Sequence, residues 1–122
     1  MHTVIETPAF LASSRDEGLD AEERSAIVTY IASRPDAGEV MPGTGGARKV
    51  RFAGRGKGKS GGYRVVTFFA GKDVPVFLLD VYGKDTRANL SKADRNGLRK
   101  VLTTLPQEWR RQTARRRKEP NR

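Results

Sequence analysis

The feature that most constrains what this chain can fold into is residues 48–64, RKVRFAGRGKGKSGGYR, where seven lysines and arginines stand among five glycines without a single acid. So much glycine and like charge reads as two strands joined by a flexible exposed loop. Strand alternation, with its period of two, puts Lys49 and Arg51 on one face and Val50 and Phe52 on the other. The apolar face can pack under helices, which leaves the other face cationic. Arg55, Lys57 and Lys59 lie on the glycine loop and Arg64 opens the next strand, so these side chains can converge on phosphates. A polyanion is the implied partner.

The rest of the chain supplies the frame. Thr3 to Glu6 reads as a short strand, and Thr7-Pro8 supplies an N-cap and a first-turn proline for a helix ending near Gly18. Asp20 and Glu23 form a capping box for a second helix with Ala26, Ile27, Tyr30 and Ile31 on its apolar face, stopped at Arg34-Pro35. Three β-rich runs follow, at residues 47–53, 63–69 and 76–82, as an antiparallel meander. Ser91 and Asp94 cap a last helix whose Leu98, Val101, Leu102 and Leu105 recur at helical spacing, and which Pro106 is expected to limit. The expectation is an α+β domain over residues 1–109, an antiparallel sheet of the N-terminal strand plus the meander against two N-terminal helices, with a C-terminal helix. Residues 110–122 are expected to be a frayed basic tail.

Composition removes several function classes. The 122 residues carry a net charge of +10, segregated as −5 over residues 1–43 and +15 over the remainder, a field that draws phosphate polymers to the C-terminal portion. Without cysteine there are no disulfides or thiolate metal sites, and without a long apolar run no membrane helix is expected. A cytoplasmic protein is the expectation. Gly58-Lys59-Ser60 imitates the end of a P-loop, but Ala53 stands where its first glycine is needed and a strand follows instead of a helix. Gly56, Gly58 and Gly61 match a dinucleotide fingerprint that likewise lacks its helix.

Gly45-Gly46-x-Arg48-Lys49-x-Arg51, then Gly56-Lys57-Gly58-Lys59-x-Gly61-Gly62-x-Arg64-Val65-Val66, then Tyr82-Gly83-Lys84 together resemble the HigB branch of the RelE-type toxins of bacterial toxin–antitoxin modules. The resemblance spans residues 1–106. It implies a small RelE-like fold and a ribosome-dependent endoribonuclease (mRNA interferase) that cuts translated mRNA in the 30S A site, inhibits translation, and is restrained by a helix-turn-helix, HigA-like antitoxin. It implies that Arg64 contacts the scissile phosphate, with Lys57, Lys59 and Lys84 nearby. The C-terminal tyrosine that assists cleavage in RelE members falls near Leu90, a departure from the family pattern.

RNA cleavage by 2′-hydroxyl attack needs a base, charge stabilisation and protonation of the leaving oxygen. The single histidine, His2, excludes a paired-histidine mechanism, and Asp73, Asp80, Asp85 and Asp94 lack metal-site spacing. Cleavage without metal or cofactor is therefore expected. Crowded cations favour a neutral lysine, so Lys57, Lys59 or Lys84 can act as base while Arg51 and Arg64 stabilise the phosphorane. Arg48, Lys49, Arg55 and Tyr82 complete the RNA-binding candidates, Tyr82 as a stacking or hydroxyl group. Two other readings are a ParE-like gyrase poison and a non-catalytic RNA- or ribosome-binding protein. The density of basic residues favours the nuclease over the first.

Overall fold

Residues 1–53, 62–83 and 90–118 are described in the structure, a computed structural model. Their order is β1 (Val4–Glu6), α1 (Pro8–Asp16), α2 (Ala21–Ser33), β2 (Glu39–Val40), β3 (Arg48–Phe52), β4 (Tyr63–Phe68), β5 (Val76–Gly83) and α3 (Lys92–Lys118). The expected α+β class holds. The five strands form one sheet in the order β1-β5-β4-β3-β2.

The meander is antiparallel as expected, but β1 runs parallel to β5, with Val4 beside Val76 and Glu6 beside Leu78, so the sheet is mixed. Short connections force β3, β4 and β5 to alternate direction; no hairpin joins β1 to β5, so nothing imposes that alternation on it. Thr7 secures the junction. Its hydroxyl accepts from the Phe10 N–H and donates to the Leu78 carbonyl at 2.7 Å, capping α1 while tying it to β5.

The sheet is covered on both faces. Phe10, Leu19, Ile27 and Ile31 of the α1–α2 layer pack on Val50, Tyr63, Val65, Val76, Leu78 and Val81. On the opposite face Leu90 and Leu102 meet Val66, Phe68, Phe77 and Tyr82, joined by Leu98, Leu105 and Trp109. A bulge in β5 reconciles the two layers. Val66 pairs with Asp80 but Thr67 with Leu78, so Leu79 is the extra residue. It lets Leu78 and Val81, three apart, both serve the α1–α2 core.

Two local expectations need correction. The buried face of α2 is Glu23, Ile27 and Ile31, whereas Ala26 and Tyr30 are exposed. Glu23 is buried because the capping box with Asp20 turns it inward, and Tyr30 instead meets Phe52 edge-on with centroids 5.4 Å apart. The second correction concerns Pro106, which does not end α3; the helix continues to Lys118. An internal proline costs roughly 3 kcal/mol. Packing on both sides of it offsets that cost: Leu102 is buried, Trp109 lies edge-on to Phe77 at 5.8 Å, and Arg110 forms a two-pronged ion pair with Asp73 at 2.6 and 3.0 Å. Residues 110–118, expected in a frayed tail, thus continue the helix, while 119–122 lie outside the described residues.

Gly38 and Gly18 offer a test of the β2–β3 hairpin. Both have positive φ, but a Cβ on Gly38 would lie 2.4 Å from the Lys49 carbonyl oxygen, whereas one on Gly18 meets nothing within 4 Å. Gly18→Ala should cost about 1 kcal/mol of left-handed strain in urea unfolding. Gly38→Ala should cost clearly more, since backbone must also move; equal costs would contradict the packed hairpin.

Candidate functional site

The three central strands bring cations from distant parts of the sequence into one row. Arg51 of β3 stands directly opposite Arg64 of β4, and Arg64 opposite Tyr82 of β5. Residues opposite one another share a face, so the row lies on the side that α3 covers. Lys49 joins it two residues along β3, opposite Val66. The alternation expected from sequence is therefore realised, with Val50 and Phe52 turned toward α1 and α2.

Burial differs sharply along the row. Arg51 is exposed, but Arg64 retains only 8% of its surface and Tyr82 1%. All six residues of β4 are buried, which is why an arginine in that strand is enclosed. Enclosure strengthens any interaction the guanidinium makes with an anion, because surrounding water no longer screens it. Two arginines directly opposite on one sheet face repel.

Other candidates are distributed differently. Arg48 shares the parity of Val50 and donates to the Gly38 carbonyl at 3.1 Å, so it braces the β2–β3 hairpin and does not join the row. Tyr82, a stacking candidate, is enclosed by the second core and offers no open ring face in this structure. Leu90 is likewise a core residue. Arg55, Lys57, Lys59 and Lys84 lie outside the described residues. His2 is far from the row in role as well as sequence: its Nε2 is 2.7 Å from the Val74 carbonyl and its ring meets Phe69 edge-on.

Asp80 was legible in sequence only as a scattered acid. It occupies the β5 position opposite Val66, one row from Arg64, where the Ser13 hydroxyl donates to its Oδ1 at 2.6 Å and the Val81 N–H donates at 2.9 Å. Only the pairing of α1 with β5 creates that arrangement, so no local motif announces it. Among the described residues no three His, Cys, Asp or Glu side chains gather as a metal site, and no helix is long and apolar enough to cross a membrane.

A cavity of about 770 Å³ is a separate apolar groove between α3 and the β1 edge, lined by Ile5, Pro8, Phe77, Leu79, Val101 and Trp109 among others. Val101, expected in the core, is 55% exposed there because α3 turns its Leu98–Leu102–Leu105 stripe, and not Val101, onto the sheet.

Comparison with known proteins places this architecture. A family model described as the RelE toxin of the RelE / RelB toxin–antitoxin system matches residues 12–118. Among solved structures, E. coli toxin RelE, determined as a double arginine-to-alanine mutant in the free state, superimposes with a TM-score of 0.51. It is 18% identical, and the match covers 71% of this chain and 87% of that one. At that identity the likeness concerns the fold.

Tyr63, which precedes Arg64 and faces α2, provides a titration test. Burial raises its phenol above the ordinary value of 10.0, and the carboxylates of Glu23, Glu17 and Asp20 push the same way. The folded state therefore keeps this proton at pH values where the unfolded chain has lost it. The corresponding stability is complete below about pH 10 and disappears as pH rises through the higher folded value. Tyr63→Phe should flatten the decline of the urea midpoint between neutral and strongly alkaline pH; an unchanged decline would place its cause elsewhere.

Proposed function

The chain belongs to the RelE toxin family, and from that membership we propose that it is a ribosome-dependent endoribonuclease that cuts translated mRNA in the 30S A site without a metal ion. The observation that carries the proposal is the Arg51–Arg64 pair: two arginines on facing strand positions, one exposed and one enclosed, in a chain with a net charge of +10. A sheet built only for stability gains nothing from opposed like charges. A site for a phosphate gains both charge and position.

In the proposed reaction the 2′-hydroxyl of one nucleotide loses its proton to a base and forms a bond to the adjacent phosphorus. The P–O5′ bond then breaks, and the 5′ oxygen takes up a proton, leaving a 2′,3′-cyclic phosphate and a 5′-hydroxyl. Arg64 is positioned to hold the non-bridging oxygens and Arg51 to add charge stabilisation at the open side of the row. Lys57, Lys59 and Lys84 are the proposed proton-transfer groups. Lys49 and Arg55 are proposed to hold flanking phosphates. Because Leu90 stands near the position of the family's assisting tyrosine, the reaction depends on the ribosome to set the RNA in line for attack.

A cognate antitoxin, of the HigA-like helix-turn-helix kind, is the proposed partner. Acidic segments on it would suit the cationic face of β3 and β4. A purely electrostatic ribosome binder would need charge but no particular arginine, and this difference separates the two readings. In cell-free translation with end-mapping of the messenger, the wild type should generate new ends only when ribosomes are present. Arg64→Ala should reduce their formation by about 100-fold or more, the range seen on removing one charge-stabilising donor. Ribosome affinity should fall modestly. Absence of new ends with the wild type would overturn the nuclease reading.

A further inference from the structure

A concave basic site on the α3 side of the sheet has no role in the reading above. It is a cleft of about 480 Å³ with Pro42 and Gly43 on one wall and Lys92, Arg95, Asn96 and Arg99 of α3 on the other, floored by Leu90. Among the described residues that line it there is no carboxylate. Asp94 turns away to close the α3 capping box with Ser91 and lines the apolar groove instead.

The cleft is built, not incidental. Thr44, fully buried, donates to the Met41 carbonyl at 2.7 Å and accepts from the Ala47 N–H at 3.0 Å, which fixes the loop before β3. Gly45, with φ of +81°, holds that loop against α3 so closely that a Cβ would lie 3.3 Å from the Arg99 Cα. Arg99 in turn donates to the Asn96 side-chain oxygen at 3.3 Å. Arg95 keeps its Nε buried, with no hydrogen-bond partner among the described residues. A buried donor left unsatisfied costs roughly 1–3 kcal/mol, an expense that an anionic oxygen would remove.

Position relates the cleft to the row. Arg64 and Val66 are two residues apart on β4, about 7 Å at the usual strand rise, and Val66 shares the second core with Leu90, the floor of the cleft. Lys49 lies opposite Val66 on the same face. Row and cleft therefore both border the second core.

We propose that this cleft is a phosphate subsite for a nucleotide of the RNA strand adjoining the bond held at Arg64. The proposal rests on the RNA-cleaving reading for its ligand, and it makes Arg95 and Arg99 strand-positioning residues. An arginine pair presents forked donors suited to phosphate oxygens, and contacts of this kind set register without reading bases.

The test uses the purified full chain and a 12-nucleotide 2′-O-methyl RNA, which cannot be cut by 2′-hydroxyl attack. Its binding is followed by anisotropy over a salt series and by the Arg95 Nε–Hε resonance. The oligonucleotide should shift that resonance. Arg95→Gln/Arg99→Gln should weaken binding about tenfold and lower the log–log salt slope by about 0.7–1.4, corresponding to one or two lost phosphate contacts on a single strand. Adenosine monophosphate and inorganic phosphate, run in parallel, should shift the same resonance only at concentrations about 100-fold higher. If either saturates as readily as the RNA, the cleft is a small-anion site and the strand assignment is overturned. Binding that leaves the Arg95 resonance unmoved, or no binding at all, overturns the proposal as well. Should the double variant lose its unfolding transition, the wild-type resonance still decides. Messenger end-mapping is independent of these readouts, so failure of the nuclease reading and failure of the cleft are distinguishable.

Discussion

Enclosure of β4 on both faces is the constraint on which the rest of the structure depends. All six of its residues are buried, one of them the charged Arg64. Burying an ionised group is costly unless its surroundings compensate, and this strand lies between two packed layers. The α1–α2 layer supplies one cover and α3 the other. The bulge at Leu79 allows β5 to satisfy both covers at once.

The α3 layer is also what turns basic residues into shaped sites. Its apolar stripe, Leu98, Leu102, Leu105 and Trp109, settles on the face that carries Arg51 and Arg64. The same placement brings Arg95 and Arg99 against the loop fixed by Thr44. Asp73 holds the far end of this helix through Arg110, whose guanidinium keeps that carboxylate below its ordinary range by hydrogen bonding. A helix continuing past a proline is thereby kept in register with the sheet.

Much of the architecture was legible because it is local. Thr7-Pro8, the Asp20–Glu23 box and the Ser91–Asp94 cap each satisfy backbone groups within three residues, and each is found as read. Strand alternation in residues 48–52 likewise needs only its period of two. The parallel pairing of β1, the rotation of α2 onto Glu23, and the passage of α3 through Pro106 were not legible. Each is decided by contacts with elements tens of residues away, which override local propensity.

The candidate site divides along the same line. From the sequence alone come the identity of the cations, their crowding in residues 48–64 and the face shared by Lys49 and Arg51, since these follow from composition and period. Tertiary structure decided that Arg64 is enclosed opposite Arg51, that Arg48 braces a hairpin, that Tyr82 is a core residue, and that Arg95 and Arg99 line a cleft with Pro42 and Gly43. Charge is a property of residues, but its strength and direction depend on what excludes water around them. That exclusion exists only once both layers have closed on the sheet.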